Sequence, residues 1–401
     1  MNVCIVGGGP AGMMLGFLLA RAGIDVTVLE KHKDFLRDFR GDTVHPSTTE
    51  LMDELGLLDD FLARPHQVVK RVGGQIGDEN VIMADFTHLP VKCPYIALMP
   101  QWDFLNFIGE HAGKLPPFHL HMETEATGLI EESGRIVGVR AKSLQGPVEF
   151  RADLVVGADG RSSIIRQSAG LKVMDIGAPM DVLWMRISRR EEDPLETLGR
   201  IKAGHFLVMI NRESYWQCAY LIPKGTIDAV KRRGLSAFRD DLAVVAPFLR
   251  NRLDELKDWD QIKLLTVKVD RLQTWHRPGL LCIGDSAHAM SPIGGVGINL
   301  AIQDAVATAN LLAGPLRAGS VQEHHLAAVQ KRREWPTKMT QRVQVFIQNK
   351  VVKRVLADAR PITLPFPLRL LRSFPILRRI PARMIGLGFR PEHVKSPKAD
   401  F

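Results

Sequence analysis

Within its first thirty residues the chain commits itself to a strand, a glycine-rich turn, a helix and a second strand. The first strand is Val3-Cys4-Ile5-Val6 and the turn is Gly7-Gly8-Gly9-Pro10-Ala11-Gly12. The second strand, Val26-Thr27-Val28-Leu29, ends in the carboxylate of Glu30. This layout suits a dinucleotide. Gly7 permits the tight turn, Gly9 lets backbone approach a pyrophosphate, and Gly12 lets helix and sheet pack closely. The helix start, with Pro10 and Ala11, offers unpaired N–H groups and the positive end of a dipole to phosphate. Met14, Leu15, Leu18, Leu19 and Ala22 share one helix face, and Gly23 is the stop. Glu30 stands eighteen residues after Gly12, with Lys31 beside it, and is placed to accept hydrogen bonds from a ribose. The motif leaves open whether the nucleotide is a nicotinamide or a flavin.

A chain of 401 residues is long enough for two or three domains with ample core. Its apolar content of 45% and charged content of 24% are those of an ordinary globular protein. The N-terminal apolar run is short, lacks a basic flank and enters the glycine turn directly, so it reads as a strand and not a signal peptide. No uninterrupted apolar stretch reads as long enough to span a bilayer. Cys4, Cys93, Cys218 and Cys282 are scattered, with no CxxC pair. That excludes a zinc ribbon or redox dithiol and fits reduced thiols in the cytoplasm. The histidines show no ligand spacing, so no metal is expected. Net charge is +9, yet Pro361 to Arg390 alone holds six arginines and no acid. The remainder carries about +3, too little for a nucleic-acid face.

Patterning divides the chain. Ser47–Leu55 and Leu57–Arg64 read as helices, and Val72–Phe86 as a hairpin turning at Gly77-Asp78. Gln101–His111 reads as a helix, and Phe118–Phe150 as a run of short strands. Leu154-Val155-Val156 is a buried parallel strand returning to the first sheet. From Met174 to Val269 long alternating runs indicate an antiparallel sheet, broken by a helix near Leu235–Leu249. Leu280–Ile283 is another buried strand, Gly297–Leu312 a helix, and Trp335–Asp358 a further helix. The fold class is therefore mixed α/β: a Rossmann-like nucleotide domain (1–71, 101–173, 270–334) holding an inserted antiparallel substrate domain (72–100, 174–269). A C-terminal helical segment (335–401) follows.

Two further segments place carboxylates and glycines at the ends of buried strands, where ligands collect in open α/β sheets. One is Asp159-Gly160-Arg161-Ser162-Ser163; the other runs from Gly284-Asp285 through Pro292, Gly294-Gly295 and Gly297-Ile298-Asn299. With the first turn, these motifs stand in the order found in single-component FAD-dependent aromatic hydroxylases. The chain resembles that family, of para-hydroxybenzoate hydroxylase type, from Asn2 to Leu312. The resemblance implies resident FAD, a transient NADPH or NADH, and dioxygen. It implies that Glu30 binds the adenosine ribose and Asp285 the ribityl chain. Arg40 matches an arginine near the pyrophosphate, and Asp159 and Gly160 support FAD and nicotinamide docking. Gln101 stands where the family often has arginine, a departure that weakens that contact. The Pro292–Asn299 loop, with Gly295, Gly297 and Ile298, would lie beside the isoalloxazine. The single glycine-rich turn means that the nicotinamide visits rather than resides.

The implied reaction is hydroxylation of an electron-rich aromatic or quinone-like substrate through a C4a-hydroperoxyflavin. No protein nucleophile is required; His45, Pro292 and Gly295 are the candidates for a catalytic part. Trp184, Phe206, Tyr215 and Gln217 are candidate substrate residues, and the strand Tyr215–Leu221 shows no inward arginine for a carboxylate. A largely apolar, neutral substrate follows. The alternatives are a reductase of the geranylgeranyl-reductase kind, a flavin-dependent halogenase and a non-catalytic FAD-binding protein. The halogenase reading lacks the paired tryptophans of its family: Trp216 is followed by Cys218-Ala219-Tyr220-Leu221-Ile222-Pro223. For the basic tail the preferred reading is terminal helices packed on the FAD domain. A membrane-surface segment at the inner face, or a homodimer interface, is the alternative.

Overall fold

The computed structural model describes residues 1–36, 43–194, 198–202, 204–357 and 364–400. A six-stranded sheet carries the nucleotide-type motifs. Its order is His276–Arg277, Leu280–Cys282, Leu154–Gly157, Asn2–Val6, Asp25–Leu29, Phe118–His121. All pairings but the first are parallel: Val3 lies opposite both Leu154 and Val26, and Val155 opposite Leu280. The glycine motifs, far apart in sequence, thus lie together beyond the carboxyl ends of three neighbouring parallel strands. The first helix, Pro10–Arg21, is buried on every side from Ala11 to Ala20, not on a single face. It packs against the helix Gln101–Ala112 as well as the helix Gly297–Arg317. Gly23, at φ +78°, ends it in the left-handed conformation.

The second sheet has seven strands, in the order Lys263–Leu265, Met180–Ser188, Tyr215–Pro223, His205–Asn211, Leu198–Lys202, Arg71–Ile76, Glu79–Asp85. The hairpin at 71–85 joins it through a parallel pairing of Arg71–Ile76 with Leu198–Lys202. Alternation gives the sheet two unlike faces. Leu183, Met185, Trp216, Cys218 and Tyr220 face a cover of Phe238 and Leu242 from the helix Leu235–Val245. Val182, Trp184, Phe206, Val208, Ala219 and Leu221 face the other way, toward Ile293. The expected helix near Leu235–Leu249 ends at Val245 and gives way to a 3-10 segment, Pro247–Glu255. Pro247 forces the change, holding Ala246 at φ −135°, ψ 75°, outside the helical region.

The C-terminal part differs more from expectation. The helix read from Trp335 begins at Glu323 and runs unbroken to Ile347, so the boundary at 334/335 falls inside it. Pro336 lies within this helix, fully helical neighbours tolerating the single lost N–H. The helices Phe366–Ser373 and Arg379–Gly386 pack on the strand Glu79–Asp85 and the turn Phe86–His88, not on the nucleotide sheet. The final residues return to that sheet, where Ala399 N–H donates to Arg21 O at 2.8 Å. One stretch among the described residues, Ile293–Arg317, is long and apolar enough to cross a membrane, contrary to the sequence reading. Two-thirds of its apolar window is buried against the first helix and its neighbours, which accounts for its composition. All four cysteines are free and buried.

Candidate functional site

The first glycine turn is shaped by contacts within the protein. Gly7 sits at φ +109°, and a Cβ there would meet Ala158 O at 2.4 Å. A Cβ on Gly12 would meet Gly7 O at 1.9 Å. A Cβ on Gly9 would meet nothing within 4 Å, so this position faces open space. Gly9 is also the N-cap of the first helix, which has no side-chain cap and begins with Pro10. The turn therefore leaves its helix donors and an empty approach on one side, as a pyrophosphate requires. Glu30 reaches into the same turn, its Oε2 accepting from Gly8 N–H at 3.0 Å and its Oε1 from His32 N–H at 3.0 Å. Arg40 lies outside the described residues. Gln101 begins its helix directly after the N-cap Pro100, and Lys31 lies exposed beside Glu30.

Asp159-Gly160 and Gly284-Asp285 meet at the ends of neighbouring strands. Arg161 Nη2 stands 3.6 Å from Asp285 Oδ2, and both side chains are about one-third exposed. Behind them Arg166 ties the two loops. It forms a bidentate pair with Asp270 at 3.2 Å and donates to Arg161 O at 2.7 Å and Ser286 O at 3.4 Å. Asp159 Oδ2 accepts from Ile165 N–H at 3.2 Å, while Oδ1 is buried without a hydrogen-bond partner. Burial raises the Asp159 pKa despite the hydrogen bonds of Ser163 and Ile165.

The Pro292–Asn299 loop is held from both sides. Gly294 and Gly295 adopt φ +79° and +63°, conformations glycine adopts freely. A Cβ on Gly295 would meet Thr43 Oγ1 at 2.4 Å; the hydroxyl itself donates to Gly295 O at 2.8 Å. From the helix Glu323–Ile347, Gln344 Nε2 donates to Ser291 O at 2.9 Å and Ile293 O at 2.8 Å. The Asn299 side chain is spent within the protein. Its Oδ1 accepts from His45 N–H and Thr48 Oγ1, both at 2.8 Å, and its Nδ2 donates to Thr43 O at 3.0 Å. The Asn299 side chain thus ties the loop to the segment 43–48. The helix Gly297–Arg317 has no side-chain cap, so the first-turn N–H groups of Gly297, Ile298 and Asn299 remain as donors.

Beneath this helix a charged chain runs through the interior. Asp304 Oδ2 accepts from Gly284 N–H at 3.1 Å and lies 2.5 Å from His288 Nε2. Arg333 Nε donates to Asp304 Oδ1 at 2.9 Å, and its Nη1 to Glu392 Oε1 at 3.2 Å. Burial alone would raise the Asp304 pKa; His288 and Arg333 hold it below the usual carboxylate range. The Gly284-Asp285 turn is thereby anchored to the last residues of the chain. Sequence reading missed Arg166, Asp270, Arg333, Gln344 and Glu392 in these roles, because nothing in their local sequence announces a tertiary partner.

His45 occupies a different place from the one its loop suggests. Its ring is fully buried, with Nδ1 2.7 Å from Ile385 O and Nε2 without a partner. Burial pushes its pKa down to about 4, so it is neutral at pH 7 and a weak base. The candidate for a catalytic part is thus a buried ring beside Ile385.

The candidate substrate residues divide. Trp184 and Phe206 lie on the apolar face of the seven-stranded sheet, packed with Val208 and Ile293. Gln217 shares that face, but toward one end, where two arginines accompany it. Arg212 Nε donates to Gln217 Oε1 at 3.3 Å, and Arg186 lies opposite Gln217 in register. Arg186 also stacks over Tyr215, its guanidinium 5.0 Å from the ring centre. Arg186 thus reaches this face from the neighbouring strand, which the reading of one strand could not register. Among the described residues no cluster of His, Cys, Asp or Glu could hold a metal ion.

Two observations test the fit of FAD: the open, uncapped approach at Gly9 and the uncapped helix end at Gly297–Asn299 facing the glycine loop. The residues present fit that cofactor. Comparison with known proteins agrees. Residues 1–343 match the family model of the FAD binding domain. The 6-methylpretetramide 4-monooxygenase of Streptomyces rimosus is 34% identical over 388 residues, 94% of this chain and 91% of that protein. The para-nitrophenol 4-monooxygenase of Pseudomonas sp. (strain WBC-3) is 26% identical over 333 residues, 80% of this chain and 79% of that protein. The solved structure of PqsL, a probable FAD-dependent monooxygenase from Pseudomonas aeruginosa, superposes with a TM-score of 0.75 at 21% identity. It covers 89% of this chain and 98% of that one, and so shares the fold.

Proposed function

The chain belongs to the FAD-binding-domain family of flavoprotein monooxygenases, and on that premise we propose that it hydroxylates a fused-ring phenol held against the apolar face of the seven-stranded sheet. The observation that carries this reading is the convergence of Trp184, Phe206 and Val208 with Ile293 of the glycine loop. These side chains offer a broad, dry surface of the kind that binds aromatic rings. Arg186 and Arg212 at its end suit an oxygen-rich edge of such a ring system, an enol or phenolate. The name of the Streptomyces rimosus relative, a monooxygenase of 6-methylpretetramide, supports the same substrate class and supports oxygenation over the reductase, halogenase and binding-only alternatives.

FAD, when bound, accepts a hydride from NAD(P)H and activates dioxygen. The chain's own residues bind and orient. We assign the pyrophosphate to the turn Gly7, Gly9, Pro10, Ala11 and Gly12, the ribose to Glu30, and the ribityl chain to Asp285 with Asp159, Gly160 and Gly284 framing it. The N–H groups of Gly297, Ile298 and Asn299 stabilise negative charge on the edge of the ring, helped by the helix dipole. Pro292 and Gly295 shape that loop. The apolar wall excludes water from the oxygen-transfer space. A cytoplasmic setting suits the free cysteines.

Substitution of the wall tests the assignment. Trp184→Ala or Phe206→Ala removes about 1.5–3 kcal/mol of ring contact, so KM for a fused-ring phenol rises roughly tenfold to a hundredfold. Loss of kcat with unchanged KM, or tight binding of simple hydroxybenzoates in its place, contradicts the substrate class.

A further inference from the structure

The helices near the C-terminus turn their apolar side chains both ways. Inward, Leu364 and Leu368 meet the cluster around Ile76 and Val81, and Ala382 and Ile385 meet Phe86 and Leu89. Outward, Phe366, Phe374, Ile376 and Ile380 are 71%, 55%, 64% and 60% exposed. Four large apolar side chains this exposed within fifteen residues are not the scattered singles of an ordinary surface. Both helices are strongly amphipathic.

The segment's own charge has one sign. Residues 361–390 hold six arginines and no carboxylate. Arg372 pairs with Glu79, and Arg369 and Arg378 donate to backbone carbonyls at Leu364 and Leu371. Arg379 and Arg383 form no ion pair among the described residues, and both are exposed beside Ile380. A second copy of this chain would bring the same positive charge against this face, so self-association here is opposed by repulsion. An anionic surface with an apolar interior matches it: phospholipid head groups for the arginines, acyl chains for Phe366, Phe374, Ile376 and Ile380.

We propose that residues 364–390 form a lipid-docking surface that seats the enzyme on an anionic bilayer. An apolar cavity of about 150 Å³ adjoins it, lined by Val343, Ile347, Pro381 and Met384 and reaching Ile293 and Gly294 of the glycine loop. The docking face and the loop are thus joined by apolar side chains, an arrangement suited to a substrate that partitions into lipid.

Flotation of the FAD-loaded full chain with vesicles tests this. At low salt the protein should float with phosphatidylcholine vesicles containing phosphatidylglycerol and stay below with phosphatidylcholine alone. Arg379→Gln and Arg383→Gln should each weaken binding about fivefold, the worth of one basic residue near a charged bilayer. Ile376→Ser with Ile380→Ser should abolish flotation while flavin content and the far-ultraviolet spectrum stay unchanged. No flotation with anionic vesicles, flotation indifferent to these substitutions, or a dimer in sedimentation that the Ile376→Ser/Ile380→Ser variant dissociates would each overturn the proposal.

Discussion

A single buried imidazole illustrates how far a residue's role departs from its sequence context. His45 follows a loop rich in charge, where a titrating side chain would be expected to meet ligand. It instead caps the helix Pro46–Glu54 with its ring sealed beneath Ile385. Its pKa, pushed down to about 4 by burial, fixes the sign of a pH effect. Between the ordinary value of 6.5 and about 4 the unfolded chain takes up a proton that the folded chain refuses. Stability is therefore lost as pH falls through this window, by about 2–3 kcal/mol at pH 4.5. Urea midpoints at pH 7.5 and 4.5 check this: His45→Gln should lose less stability between the two than the parent protein, by that amount. Equal losses would place the His45 ring in contact with water. Gly12 shows the opposite relation. It was legible because the atom that crowds it, Gly7 O, belongs to the same turn, whose spacing the sequence records; Gly7 is set by its φ of +109° and also by Ala158 O at the end of a distant strand, which spacing does not show.

At the scale of elements, ties between distant segments decide where the site residues stand. Asn299, Arg166 and Gln344 were quoted or passed over in sequence because an amide or guanidinium shows no partner until the chain is folded. Each holds a loop that the glycine motifs alone leave loose. The faces of the seven-stranded sheet were half legible: alternation separates Trp184 and Phe206 from Trp216 and Tyr220, but not which neighbouring strand adds Arg186. The helical cover of that sheet hangs on another such tie. Asp193 accepts from Arg252 at 2.7 and 2.8 Å and from Trp216 Nε1 at 2.9 Å, with both charged side chains 3% exposed. Burial would raise the Asp193 pKa, but hydrogen bonds from Arg252, Trp216 and Arg190 bring it down to about 2. Its stabilisation is present above the usual carboxylate range and is lost as pH falls toward 2. Asp193→Ala leaves Arg252 buried without its partner and should cost about 3–5 kcal/mol in urea unfolding. The double change Asp193→Ala with Arg252→Met should cost less than the single one; a larger cost would mean that the pair contributes little and the packing much.

Across the whole molecule, two sheets are made for different partners. The six-stranded sheet gathers three glycine motifs at the carboxyl ends of its parallel strands, and the seven-stranded sheet turns an aromatic wall toward the glycine loop. The C-terminal residues reach both: Glu392 to Arg333 and Asp304, and Ile385 to His45, on the nucleotide side, and the helices Phe366–Ser373 and Arg379–Gly386 against the strand Glu79–Asp85 of the seven-stranded sheet. This closure was not legible in the sequence, where the tail reads only as basic and apolar. It explains why the tail is tied to the Gly284-Asp285 turn and the basic helices lie apart from the nucleotide sheet. The central claim is oxygen transfer to an aromatic ring. Turnover of a fused-ring phenol with NAD(P)H under 18O-labelled dioxygen tests it most directly. One labelled oxygen atom should enter the product for each nicotinamide oxidised; a product that is reduced, or oxygenated only from water, would contradict it.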